Sequence, residues 1–154
     1  MTTVNDIRTS LDDLPSLVGR DFGPSGWQEV TQEQVNAFAE LTGDRNPVHL
    51  DPEFAAATAF GTTIVHGYYT LSLVVPLMAE VFGVTGVGVG VNYGLNKLRF
   101  PAPVPVGSRI RISGTVTAVS EVAGGYQVEP TVTFSVEGQD KPACVAEMVL
   151  RYYR

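Results

Sequence analysis

Tyr68-Tyr69-Thr70-Leu71-Ser72-Leu73-Val74-Val75-Pro76-Leu77-Met78-Ala79-Glu80-Val81-Phe82 is the longest apolar run in the chain, and its reading decides the architecture. It is short of the roughly 20 residues a bilayer-spanning helix needs, so no membrane span is expected. The segment from about His66 to Phe82 instead predicts a buried helix, apolar nearly all round because protein encloses it on every side. Pro76 should kink it, because proline lacks an N–H and crowds the carbonyl of Ser72. Gly83 and Gly86 are expected to end it.

The second half of the chain differs in kind. Val87 to Phe100, Arg109 to Val119, Tyr126 to Val136 and Cys144 to Tyr152 carry period-two or β-branched runs and read as four long strands. Pro101, Pro103 and Pro105 precede Gly107-Ser108, while Gly124-Gly125 and Gly138-Gln139-Asp140 favour hairpins. The alternation Gly86-Val87-Gly88-Val89-Gly90 suits close packing against a helix rather than phosphate. With Trp27 to Val30 as a short early strand, a meandering antiparallel sheet of about five strands curls around the long helix, an α+β architecture. Residues 1–154 read as a single domain. Residues 1–26 form an N-terminal extension packed on it, with Leu11, Leu14, Leu17 and Val18 spaced for a helical turn or two.

Composition narrows the function. A formal charge of −6 argues against a nucleic-acid partner, because such affinity rests on surplus Lys and Arg meeting phosphate. Any anionic ligand then depends on a local basic patch. The single Cys144 rules out an internal disulfide and a four-cysteine zinc site. The N-terminus lacks the basic and apolar regions of a secretory signal, and the expected location is the cytoplasm.

Upstream of the buried run, Thr31 and Gln34 form a capping-box pattern that starts a helix with Val35, Phe38, Ala39 and Leu41 on its apolar face. Gly43 falls where a left-handed residue ends it and delivers Asp44 into a loop, partly buried beside the helix end. Asp51-Pro52 opens another short helix, which accounts for Asp51 as a cap. Between them Asp44 and His49 sit five residues apart on a non-helical segment, with Asn46 and Pro47 between. One reading is a general acid–base pair acting on one water. The other is a loop aspartate, an Asn-Pro turn and a satisfied, partly buried histidine. Gly67, opening the buried helix, offers either a free N–H that polarises a carbonyl or merely a tight turn. His66 reads as a second imidazole at the site or as helix-entry packing. His49, His66, Asp44 and Asp51 have no zinc-binding spacing, and no metal is expected. A G-x-S-x-G elbow is absent, and Cys144 lies in a strand pattern.

The run Asp44-Arg45-Asn46-Pro47-Val48-His49-Leu50-Asp51-Pro52, then Ile64-Val65-His66-Gly67, then Leu98-Arg99-Phe100-Pro101-Ala102-Pro103-Val104 and Val106-Gly107, resembles the MaoC-like (R)-specific enoyl-CoA hydratases, also called hydratase 2. The resemblance covers nearly the whole chain. It implies a hotdog fold, a homodimer with sheets side by side and active sites near the interface, and reversible syn hydration of a trans-2-enoyl-CoA to an (R)-3-hydroxyacyl-CoA. It implies Asp44 and His49 as the water-activating pair, Asn46 as the residue orienting that water, and Gly67 as amide donor to the thioester oxygen. Substrate contacts are assigned to His66, Tyr68, Lys97 and Arg99, with Arg109 and Lys141 as further candidates for coenzyme A phosphates. No cofactor is expected, since coenzyme A or acyl carrier protein arrives with the substrate. Some members place a serine where this chain has Val74-Val75, leaving no polar role there. A hotdog thioesterase and a non-catalytic acyl-thioester-binding module are the alternatives. Release of free CoA, or binding without turnover, would mark them.

Overall fold

In the computed structural model, which describes residues 2–154, the decisive run folds as two helices, α4 (Gly67–Ser72) and α5 (Val74–Val81), separated at Leu73. The break has the expected cause: Pro76 has no N–H to give the carbonyl of Ser72, so the ladder fails one turn before the proline. Enclosure is incomplete, in contrast to the reading of the sequence. Leu73, Val74, Leu77, Met78 and Val81 are buried, yet Val75 is 56% exposed. One side of the helix pair is therefore open. The helix stops at Val81, before the glycines, because Phe82 turns extended and begins a strand.

Three short strands precede the helices: β1 (Ile7–Ser10), β2 (Asp21–Phe22) and β3 (Gln28–Glu29). Five more lie in the second half: β4 (Phe82–Thr85), β5 (Val89–Arg99), β6 (Arg109–Val122), β7 (Gly125–Val136) and β8 (Cys144–Tyr153). The large sheet runs β2-β6-β7-β8-β5, with β3 also paired to β6. Its neighbours are antiparallel, and the β6–β7 and β7–β8 hairpins turn where Gly124-Gly125 and Gly138-Gln139 predict. A simple meander is corrected at one point: β5 returns against β8, the last strand, not against β6. The glycine alternation serves that pairing. A Cβ at Gly88 would meet the backbone of Arg154, and one at Gly90 the ring of Tyr152, so these glycines approach the chain end rather than a helix.

The concave face of this sheet wraps α4 and α5, the hotdog arrangement. Ile110, Ile112, Val132, Phe134 and Ala146 meet Leu77 in a core where each is 0% exposed. The extension is more ordered than a stray turn. β1 pairs in parallel with β4, Ile7 opposite Phe82, and a 3₁₀ segment (Leu11–Leu17) buries Leu11, Leu14 and Leu17 while Val18 stays exposed. The Arg8 guanidinium donates to the Glu80 carbonyl at 2.7 Å, and the Gly26 N–H to the Glu80 carboxylate at 2.8 Å. Both tether the extension to the end of α5. No helix among the described residues is long and apolar enough to cross a membrane.

Candidate active site

Helix α1 (Gln32–Thr42) delivers the first functional residue. Its capping box at Thr31 and Gln34 forms as expected, and Gly43 ends it in the left-handed region at φ 80°. Val35 and Ala39 are buried, but Leu41 is 86% exposed and lies off the apolar face assigned to it. Asp44 comes next, with an exposed side chain instead of a partly buried one. Its backbone N–H donates to the Thr42 hydroxyl, and its carboxylate accepts the Asn46 N–H at a long 3.4 Å.

The segment carrying His49 is helical after all: α2 spans Pro47–Leu50. Asn46-Pro47 reads as a breaker, but an Asn cap followed by Pro at the first helical position is also how a helix starts. The Asn46 side-chain oxygen accepts the Val48 N–H at 3.2 Å, so only the amide NH₂ remains free. Asp51 caps α3 (Pro52–Ala56) by accepting from Glu53 and Phe54.

Two backbone carbonyls fix the imidazoles. Nδ1–H of His49 donates to Ile64 O at 2.7 Å. A carbonyl only accepts, so the proton is on Nδ1 and the lone pair on Nε2. The same segment is laced back by Ile64 N–H donating to Val48 O. Nε2–H of His66 donates to the Asp44 carbonyl at 3.0 Å. The two rings stack with centroids 3.9 Å apart and 29° between planes, and Phe38 lies 4.8 Å from the His66 ring. Burial pushes the His66 pKa down, against a smaller upward pull from its bond to Asp44.

Donor atoms of Asp44, His49 and His66 all lie within 4.8 Å of one another. The folding of the loop thus brings the predicted carboxylate and imidazole together. The trio has the donor types of a metal site, but His49 Nδ1 and His66 Nε2 are already bonded to backbone carbonyls.

A cavity of about 320 Å³ opens beside His49, with His49, Gly67, Phe60, Thr70, Phe100 and Val104 among its walls; Asp44 and Asn46 are not part of the wall. Two of the predicted site residues, His49 and Gly67, meet there. Others do not. His66 is 2% exposed and is not part of the wall. Tyr68 is 69% exposed, edge-on to Phe100 outside the wall. Lys97 and Arg99 are exposed on β5 beyond the cavity, and Arg109 is occupied by an ion pair with Glu137. Gly67 opens a helix of only six residues, so its contribution is a local N–H rather than a long helix dipole.

Sequence reasoning missed Phe60, Thr70 and Phe100 as wall residues. Thr70 left a signal, a hydroxyl in an otherwise apolar run; it is 1% exposed and its oxygen has no partner among the described residues. Phe100 stands over Gly67, three of its ring atoms 3.0–3.1 Å from where a Cβ would be. Two further adjoining hollows, of about 260 and 270 Å³, run between α5 and β5 past Val74, Val75, Asn92 and Met148.

The family model described as MaoC like domain matches residues 13–137. The chain belongs to the MaoC-like family. It is 50% identical over 144 residues to 3-hydroxyacyl-thioester dehydratase Z of Mycobacterium tuberculosis, covering 93% of this chain and 95% of that protein. Among solved structures, this MaoC-like chain resembles an (R)-hydratase from A. caviae involved in PHA biosynthesis, with TM-score 0.71 and 32% identity over 86% of this chain and 94% of that one. An R-hydratase from Pseudomonas aeruginosa gives TM-score 0.70 at 26% identity, over 89% and 82% respectively.

Proposed function

We infer that this MaoC-like chain is an (R)-specific enoyl-thioester hydratase, running reversibly as a 3-hydroxyacyl-thioester dehydratase. The observation that carries the reading is the approach of the Asp44 carboxylate to the His49 ring, which itself lines a cavity that also presents Gly67. Both groups can hold or release a proton, and the lone pair on His49 Nε2 is uncommitted. In the hydration direction the pair takes a proton from water as its oxygen bonds to C3 of the enoyl group. The double-bond electrons move to C2 and the thioester oxygen, which the Gly67 N–H stabilises. A proton from the pair then goes to C2 on the same face, so the overall addition is syn. The free NH₂ of Asn46 is the group assigned to hold the water. Water adds as a hydroxyl at C3 and a proton at C2 with no net change of oxidation state, so the step itself needs no redox cofactor.

The apolar hollows along α5 and β5 suit the acyl tail. Exposed Lys97, Arg99 and Lys141 are the cations left for phosphates of coenzyme A or of an acyl carrier protein's prosthetic arm. A second copy of the chain completes the assembly. β5 has a free edge and shows Val89, Val91, Tyr93 and Leu95 to solvent, beside the exposed Val75. An open apolar strand edge is an aggregation liability unless it is covered.

The test is to mix the chain with crotonyl-CoA and longer trans-2-enoyl-CoAs, following enoyl absorbance, product chirality and free thiol. Loss of absorbance with an (R)-3-hydroxyacyl product is expected. No turnover at any length, or thiol release instead, would defeat the reading.

A further inference from the structure

We propose that His66 is a positioning residue for the acid–base pair: a buried imidazole, fixed in its Nε2–H tautomer, that pins the Asp44 loop with one nitrogen and carries the His49 ring on its face. The inference rests on the function above and adds a residue to it that touches neither water nor substrate.

His49 has one anchor of its own, the bond from Nδ1–H to Ile64 O. A single hydrogen bond along one axis leaves a ring free to swing about that axis, and swinging re-aims Nε2. The stacked His66 ring, 3.9 Å away, removes that freedom. Asp44 is held still less firmly. Its side chain makes only the long 3.4 Å contact with the Asn46 N–H, and its carbonyl is tied down by His66 Nε2–H at 3.0 Å. His66 is itself immobile, 2% exposed, with Phe38 and His49 against its ring. It also immediately precedes Gly67. One residue thereby locates the carboxylate, the imidazole and the amide donor relative to one another.

Hydrogen-bond accounting gives its protonation state. Nε2 donates to Asp44 O, and buried Nδ1 has no partner among the described residues. A proton on Nδ1 would bury a charged donor with no acceptor, which is costly. A neutral ring also avoids repelling His49 when that ring takes up a second proton during turnover.

Two variants and one spectrum test this. His66→Phe keeps a flat ring against His49 but loses the bond to Asp44. His66→Gln keeps an N–H able to reach the carbonyl but loses the stack. Each is expected to lower kcat by roughly 10- to 100-fold, the scale of an ångström of misplacement, with KM within about threefold. A KM rise at unchanged kcat would make His66 a substrate contact and overturn the proposal, as would two variants as fast as the parent. Long-range ¹H–¹⁵N spectra of the unaltered chain need no variant to fold. They should show His66 neutral and protonated on Nε2, with that proton slow to exchange; the Nδ1–H tautomer or a cation at neutral pH would refute the placement. A parent chain that never hydrates an enoyl thioester defeats the function and not this geometry, which the spectra still decide.

Discussion

Adding one methyl group at Gly67 tests whether the amide beneath Phe100 serves the reaction. In Gly67→Ala the new Cβ would sit 3.0–3.1 Å from three ring atoms of Phe100. Carbon atoms are most stable at about 3.5–4.0 Å, so the ring must retreat by roughly half an ångström to one ångström. It has somewhere to go, since Phe100 is 41% exposed. The stability cost should therefore fall near the low end for overpacking, about 1 kcal/mol, which shifts Tm by roughly 2–4 °C in a domain of this size. Activity is more sensitive. The methyl group sits in the same wall as His49, so it crowds a thioester oxygen approaching the Gly67 N–H. Losing one such donor costs on the order of 10²-fold in kcat. Steady-state hydration of crotonyl-CoA beside a thermal melt separates the two effects. In the double variant Gly67→Ala/Phe100→Ala the clash is gone, and kcat should stay low while Tm falls by the burial lost with the ring. A single variant at parental kcat/KM would refute the role given to this amide, and full kinetic recovery in the double variant would assign the defect to the ring alone.

Asp44→Asn and His49→Gln should each reduce kcat by roughly 10²-fold or more while leaving circular dichroism and Tm near parental; near-normal turnover in both would remove the acid–base assignment. The proposed second copy predicts the mass of two chains in light scattering for the parent and of one for Val91→Lys, which places a charge on the free edge of β5; a monomeric parent would defeat the assembly, and a dimeric variant would move the interface elsewhere. Cys144 is 0% exposed on β8, and burial pushes its thiol up to about 12. It should resist a disulfide reagent at pH 8 in the native chain and react once the chain is unfolded in denaturant; rapid native labelling would contradict its burial.

What the chain made legible was local. Thr31 with Gln34, Gly43, and Asp51 with Pro52 announce helix ends because each cap is satisfied within four residues. The break near Pro76 comes from a missing N–H, again a short-range fact. The errors lie where the outcome depends on distant partners. β1 and β4 are four residues each and exist through their parallel pairing with one another, across some seventy residues of sequence. The closure of β5 on β8 turns on which edge is free once two hairpins have formed. Val75 and Leu41 show apolar side chains to solvent for no local reason, and Val75 borders the open face that a second copy would cover.

The site divides along the same line. Spacing alone could not separate an acid–base pair from a loop aspartate and a packed histidine, because five residues across a proline fix no distance. What brings the two groups together is tertiary: Ile64 O anchors the His49 ring, and Asp44 O is held by His66 from the far side of the loop. His66 itself was legible as a residue and illegible as a role. Its value lies in a stacking partner 17 residues upstream and a carbonyl 22 residues upstream, and both are reached only when α1, α2 and α4 pack together. The same packing leaves Thr70, a residue of the cavity wall, with a buried hydroxyl and no partner among the described residues. A buried polar group without a partner costs about 1–3 kcal/mol, which a hydrogen-bonding ligand in that cavity would return.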